Sequence, residues 1–212
     1  MSSEIKHICF DLDGTLLNSA GTIYKSTLKT FEDLNIEYNL PENEFYNMIG
    51  MHFIDIFEHF KINVPSFETF INHYKKIYFD FIDESVFYSG VKEVLNSIKE
   101  NSYKISLLTT KAQDQTEKIL EHFSITEYFD FIMGRNNGIP HKPDPTPFLM
   151  ICNNLKTKPE DSLIVGDTEL DILCGKNANA KTVAVTYGYR SVEKLKEFSP
   201  DFIIDDLRKL KN

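Results

Sequence analysis

Ile8-Cys9-Phe10-Asp11-Leu12-Asp13-Gly14-Thr15-Leu16 is the stretch from which the fold of this 212-residue chain is read. Three apolar residues run directly into two carboxylates that straddle Leu12, and a glycine follows. A short apolar run closed by a polar, glycine-containing turn predicts a buried strand over residues 5–10, with Asp11 and Asp13 at its carboxyl end. Beyond it the character changes. Between about residues 21 and 85, Phe31, Leu34, Phe45, Met48, Ile56, Phe57, Phe60, Phe70, Tyr74 and Tyr78 recur at three- and four-residue spacings, which predicts several amphipathic helices and no strand. Pro41 and Pro65 stand where helices can start. After Gly90 the pattern alternates. Helices are expected over residues 91–100, 113–123, 146–155, 169–177 and 192–197, and strands over 104–109, 129–133, 162–165 and 182–185, with a last apolar run at 202–204. Parallel neighbours need crossover connections, so this alternation predicts an α/β fold: a parallel sheet covered by helices on both faces. The expected division is a core of residues 1–19 and 86–212 with an inserted all-helical cap of residues 20–85.

Composition narrows the function. With 42% hydrophobic and 26% charged residues the chain can bury a proper core. Its formal charge is -9 and no run of Lys and Arg tracks a polyanion, so no nucleic-acid partner is expected and a phosphate must be captured locally. Cys9, Cys152 and Cys174 are odd in number and far apart, which argues against a disulfide framework or a zinc knuckle. No apolar stretch approaches the roughly 20 residues needed to cross a bilayer. No membrane partner is expected, a cytoplasmic protein is the default, and the chain is expected as a monomer or homodimer.

In open parallel sheets, ligands bind beyond the carboxyl ends of the strands. Four pieces of sequence point there: Asp11 and Asp13; Thr109-Thr110-Lys111; the loop His141-Lys142-Pro143-Asp144-Pro145; and Gly166, Asp167 and Asp171. Carboxylates gathered in one place repel one another unless a cation is present. Magnesium, a hard ion held by one or two carboxylates plus a substrate phosphate, answers that need. Such an ion would draw a phosphate toward Asp11, and a carboxylate can act as nucleophile through an aspartyl phosphate. Asp13, beyond the turn, is placed to protonate the leaving oxygen and later to activate water. The phosphate oxygens would find donors in the turn at Leu12 and Asp13, in Thr109 and Thr110, and in Lys142. Asp171, four residues after Asp167, faces the same side if a helix begins there, and would support the metal or orient Lys142.

Asp11-Leu12-Asp13-Gly14-Thr15-Leu16 resembles the first motif of the haloacid dehalogenase superfamily of phosphatases. Thr109 is similar to the second motif, Lys142-Pro143-Asp144-Pro145 to the third, and Gly166-Asp167-Thr168-Glu169-Leu170-Asp171 to the fourth. The resemblance implies a Rossmann-like parallel sheet with a helical cap inserted after the first motif. It implies Asp11 as nucleophile, Asp13 as acid and base, magnesium held by Asp11, Asp13 and Asp167, and a small phosphorylated metabolite as substrate. Thr15, Gly166 and Asp171 would then support the site. The dehalogenase branch lacks the second aspartate, so Asp13 favours phosphoryl chemistry. The likeness is strongest to phosphoglycolate phosphatases and related pyrophosphatases. Thr109-Thr110-Lys111 resembles their Thr-Asn-Lys segment, with Thr110 in place of the usual Asn, and Thr186-Tyr187-Gly188-Tyr189 resembles their late Trp-Gly-Tyr or Tyr-Gly-Tyr turn. Substrate choice would lie largely in the cap, near Gly50, Met51 and His52. Pyrophosphatase and sugar-phosphate mutase stay open as alternatives, although the mutases carry an Arg where this chain has Phe53. A phosphoacceptor signalling module is the remaining alternative; it needs neither a cap nor Asp13.

Overall fold

The first strand, β1 (His7–Phe10), is buried along its whole length, so both faces of the sheet are covered at its centre. The computed structural model describes residues 4–211. Around β1 lie β4 (Lys104–Ala112), β5 (Phe131–Arg135), β6 (Ser162–Gly166), β7 (Lys181–Val185) and β8 (Phe202–Ile204), in the spatial order β5-β4-β1-β6-β7-β8. Every neighbouring pair is parallel, as the alternation of elements predicts. The crossovers run through α5 (Val91–Glu100), α6 (Gln113–His122), α7 (Thr146–Leu155), α8 (Glu169–Asn177) and α9 (Val192–Glu197).

Register decides where the chemistry falls. Phe10 lies beside Leu107 on one neighbour and Val165 on the other, so Asp11 emerges level with Leu108 of β4 and with Gly166 at the end of β6. The Asp11 N–H completes the alignment by donating to the Val165 carbonyl at 2.9 Å.

Two strand boundaries differ from the sequence reading for identifiable reasons. β5 begins at Phe131 because at Asp130 the side chain, not a main-chain carbonyl, accepts from the Ile105 N–H of β4 at 2.9 Å. β4 continues past residue 109 to Ala112, but its pairing with β5 breaks after Leu108 and resumes only where Ala112 meets Arg135. Thr109, Thr110 and Lys111 therefore sit in a bulge, a feature that re-aims side chains next to functional sites.

The chain separates into two compact units: the described residues through Leu16 together with those from Tyr88 on, and Leu17–Phe87. The second unit holds α1 (Ala20–Asp33), α2 (Glu42–Tyr46), α3 (Phe53–His59), α4 (Phe67–Ile77) and a 3-10 segment, Tyr78–Glu84. Its two ends are tied by a short antiparallel pair, β2 (Leu17–Asn18) with β3 (Val86–Phe87). The unit begins and ends at this pair, a few residues outside positions 20 and 85. Its aromatic residues form a core: Phe31, Phe57 and Phe70 are buried, with ring centroids 5.2 Å apart for Phe31 and Phe57 and 4.9 Å for Phe57 and Phe70. Such ring pairs add stability beyond their buried area. The histidines are engaged locally. His52 caps α3 by accepting from the Ile54 N–H, and His73 pairs with Asp33 at 2.9 Å.

Candidate active site

Asp11 is the first residue past β1 and is buried. Lys142 Nζ donates to Asp11 Oδ1 at 2.8 Å, to Asp171 Oδ1 at 2.6 Å and to the Leu108 carbonyl at 3.0 Å, so one buried ammonium joins three strand-end segments. Lys142 is delivered by a loop whose Lys142–Pro143 peptide is cis.

Asp167 follows β6 and is fully buried. Its Oδ1 accepts from the Thr15 hydroxyl at 3.1 Å and its Oδ2 from the Tyr189 N–H at 2.8 Å. Two glycines make room for it. A Cβ on Gly14, whose φ is +88°, would lie 2.3 Å from Asp167 Oδ2, and a Cβ on Gly188 would lie 2.3 Å from Asp167 Cβ. Asp171 is the third residue of α8. Its Oδ2 accepts from both the N–H (3.1 Å) and the hydroxyl (2.7 Å) of Thr168, capping the helix, while Oδ1 faces Lys142. Gly166 is packed beneath it: an added Cβ would lie 2.1 Å from Asp171 Cγ.

Asp11, Asp167 and Asp171 each offer a carboxylate oxygen within 4.8 Å of the others. Three carboxylates thus face one ammonium, an excess of two negative charges. Burial pushes the Asp11 carboxyl up to about 7, with the Asp171 and Asp13 charges adding and Lys142 opposing. Burial, then the charges of Asp11 and Asp171, holds Asp167 well above the ordinary carboxylate range. For Lys142, burial alone would favour the neutral amine, but the two aspartates override it and the ammonium persists.

The sequence-predicted residues do not all gather at one point. The structure brings together Asp11, Thr15, Lys142, Gly166, Asp167 and Asp171. The Asp13 carboxylate is outside that group, because its Oδ2 faces Lys111 Nζ at 3.3 Å. Leu12 has a fully buried side chain, so only its main chain is available to a ligand. Thr109 is buried and Thr110 half-buried in the β4 bulge, where Thr109 Oγ1 accepts from the Lys111 N–H at 3.3 Å.

Sequence reasoning assigned no role to the loop after β7. Its Gly188 and Tyr189 hold Asp167, the Tyr187 hydroxyl donates to the Thr15 carbonyl at 3.0 Å, and Arg190 grips Glu169 with two nitrogens at 2.8 and 3.2 Å. The signal was present, since the strand-end rule that singled out Asp11 and Asp167 applies equally to β7.

The profile of the haloacid dehalogenase-like hydrolases matches residues 8–185, most of the chain, including Asp11, Asp13, the β4 bulge, Lys142, Asp167 and Asp171. The chain belongs to that family. Among hydrolases related to it, the PpaX protein of Clostridium perfringens is 38% identical over 202 residues, covering 95% of this chain and 93% of that one. The pyrophosphatase PpaX of Bacillus cereus is 34% identical over 210 residues, covering 98% and 95%. The crystal structure of a predicted phosphoglycolate phosphatase from Haemophilus somnus 129PT has a TM-score of 0.83 at 27% identity and covers 100% of both chains. The α/β fold with a parallel six-stranded sheet is that of these hydrolases. No helix among the described residues is long and apolar enough to cross a membrane.

Proposed function

We propose that this chain is a magnesium-dependent phosphatase that cleaves a small phosphate monoester, phosphoglycolate-like in size, through a phosphoaspartyl intermediate on Asp11. The observation that carries the reading is the placement of Asp11: buried, beside Asp167, with Lys142 Nζ at 2.8 Å. A carboxylate so placed can be brought against an anionic phosphate only if its surroundings are cationic. Lys142 meets part of that need.

The donor set fits a divalent ion. All the candidate ligand atoms are hard oxygens, and the excess of two negative charges equals the charge of magnesium. Asp11 and Asp167 are the ligands we assign. Asp171 is the anchor of Lys142, since its Oδ1 pairs with the ammonium and its Oδ2 caps α8, whereas the Asp167 oxygens accept from an uncharged hydroxyl and a main-chain N–H. Asp13, as third ligand, would offer its main-chain carbonyl, because its carboxylate faces Lys111. When bound, magnesium would neutralise the cluster and polarise the phosphoryl oxygens.

The residues then divide the work. An Asp11 oxygen attacks phosphorus, and the bond to the leaving oxygen breaks with its electron pair going to that oxygen. Asp13 supplies the proton that the leaving oxygen takes up. Water then attacks the phosphoaspartyl group, giving its proton to Asp13, and phosphate departs with Asp11 restored. Lys142, Thr109, Thr110 and the N–H groups of Leu12 and Asp13 hold the phosphoryl oxygens. Pyrophosphate is the second reading, favoured by the similarity to the pyrophosphatase PpaX of Bacillus cereus. The three cysteines are free and buried, which suits a reducing cytoplasm.

The test is phosphate release with and without magnesium from phosphoglycolate, pyrophosphate, hexose phosphates, nucleotides and phenyl phosphate. Magnesium-dependent release with one favoured substrate is expected. Asp11→Asn should abolish it while leaving the melting temperature within a few degrees, and labelled substrate quenched during turnover should leave its phosphoryl group on Asp11 in the unaltered protein. Turnover that survives Asp11→Asn would end the nucleophile assignment.

A further inference from the structure

The phosphohydrolase reading leaves a second, nearly buried lysine without a task. Lys111 Nζ lies 3.3 Å from Asp13 Oδ2, and the two side chains are only 7% and 12% exposed. We propose that Lys111 is a specificity-determining residue that recognises a leaving group carrying its own negative charge, a second phosphate or a carboxylate. This rests on the assignment of Asp13 as the residue that protonates the leaving oxygen.

Lys111 owes its position to local structure. It lies in the bulge of β4, between Leu108, which still pairs with Met133, and Ala112, which pairs with Arg135. Its N–H is held by Thr109 Oγ1 at 3.3 Å, and its carbonyl accepts from the Thr116 hydroxyl at 3.4 Å. A Cβ on Gly134 would lie 3.0 Å from that carbonyl, so β5 closes against it from the other side. A regular strand would not set the residue this way, because a bulge changes the direction of the side chains beside it.

The site thus has one ammonium for each of its two working aspartates. Lys142 is at Asp11, where the transferred phosphoryl group would sit, and Lys111 is at Asp13, where the departing group would sit. An oxygen within hydrogen-bond reach of Asp13 lies within about 6 Å of Lys111 Nζ, two contacts of about 3 Å end to end. That is inside the Debye length of about 8 Å, in a region where water screens little. A leaving group bearing a fixed anion would draw Lys111 from Asp13 to itself. One bearing only an uncharged alcohol or phenol oxygen would gain no such contact. The bond changes are those of the hydrolysis itself: the phosphorus–oxygen bond breaks, and the leaving oxygen takes its proton from Asp13.

The experiment compares Lys111→Met and Lys111→Arg with the unaltered protein on three substrates: pyrophosphate, phosphoglycolate and phenyl phosphate. The readout is the ratio of kcat/KM for each anionic substrate to that for phenyl phosphate. Losing one charge-assisted contact corresponds to a roughly 10- to 100-fold fall in that ratio for Lys111→Met, expressed mainly in KM, with Lys111→Arg restoring most of it. A fall for pyrophosphate alone assigns a phosphate, a fall for phosphoglycolate alone a carboxylate, and either supports the proposal. A ratio within twofold of the unaltered protein, both terms falling together, overturns it and leaves Lys111 as a prop for Asp13. If Lys111→Met does not fold, Lys111→Gln takes its place in the same comparison. Should the unaltered protein release phosphate from none of the three, the phosphohydrolase reading itself fails, and this one with it.

Discussion

On the proposed magnesium reading, removing the cation should make the stability of this protein depend on pH in a direction fixed by Asp11. Burial raises its carboxyl from 3.8 to about 7 when no metal is bound. The metal-free native state therefore keeps a proton that the unfolded chain has already lost. Stability then falls as pH rises from the unfolded value toward the folded one. Between pH 5.5 and 7 this amounts to about 2 kcal/mol from Asp11 alone, at about 1.4 kcal/mol per unit. Asp167, held well above its ordinary value by burial and by its neighbours, extends the loss in the same direction. A bound cation replaces the proton, so the magnesium-induced gain in melting temperature should grow across this range. The growth should be about 4 to 8 °C for a chain of this size. Measuring the difference between saturating magnesium and chelator at each pH cancels every group that does not sense the metal. A gain that is flat with pH, or largest at pH 5.5, would refute the claim that the aspartate cluster is where the cation binds.

Gly188→Ala should cost at least 100-fold in turnover, because the new methyl must displace Asp167, whose Cβ lies 2.3 Å from where it would stand; overpacking of this kind also destabilises by about 1 to 3 kcal/mol, read by thermal melting. Full activity in that variant would mean that Asp167 can move freely and is no fixed ligand. His7 predicts an opposite pH effect remote from Asp11 and Asp167. It is buried between Ser106 (2.7 Å) and Ser162 (3.1 Å) and stacked on Phe148, and burial depresses its pKa from 6.5 to about 4. The unfolded chain takes up a proton on His7 before the native one does, so stability should fall by about 3 kcal/mol as pH drops from 6.5 to 4. The loss should be shallower in His7→Gln, and chemical denaturation of the two proteins at pH 4.5 and 6.5 would show it.

The sheet was legible because its central strands are buried on both faces and read as unbroken apolar runs, Ile8-Cys9-Phe10 followed by Asp11 and Leu163-Ile164-Val165 followed by Gly166-Asp167. That pattern states where a strand stops and what stands at its end. His7 was not legible. It occupies the first position of β1 in full burial, and only its partners on two other strands, Ser106 and Ser162, make that tolerable. The short strands β2 and β3 were likewise invisible, since two residues carry no period.

The Asp13 side chain is where local reading reaches its limit. Spacing places it beside Asp11, but its direction is set by Lys111, 98 positions along the chain and in a bulge that no alternation of residue types announces. The same holds for Gly188. Its turn resembles one in the family, but why a glycine is needed there appears only when Asp167 Cβ is found 2.3 Å from where a side chain would begin. What the sequence displays is the set of chemical groups; their mutual orientation belongs to contacts across strands. Those contacts hold three carboxylates against one ammonium, which in the metal-free protein costs stability instead of providing it. A fold that keeps such a conflict at the carboxyl ends of its strands, with Gly14, Thr15, Gly166, Thr168 and Gly188 packed around it, has the arrangement expected of a site that serves a cation and an anionic ligand and not the strength of its own core.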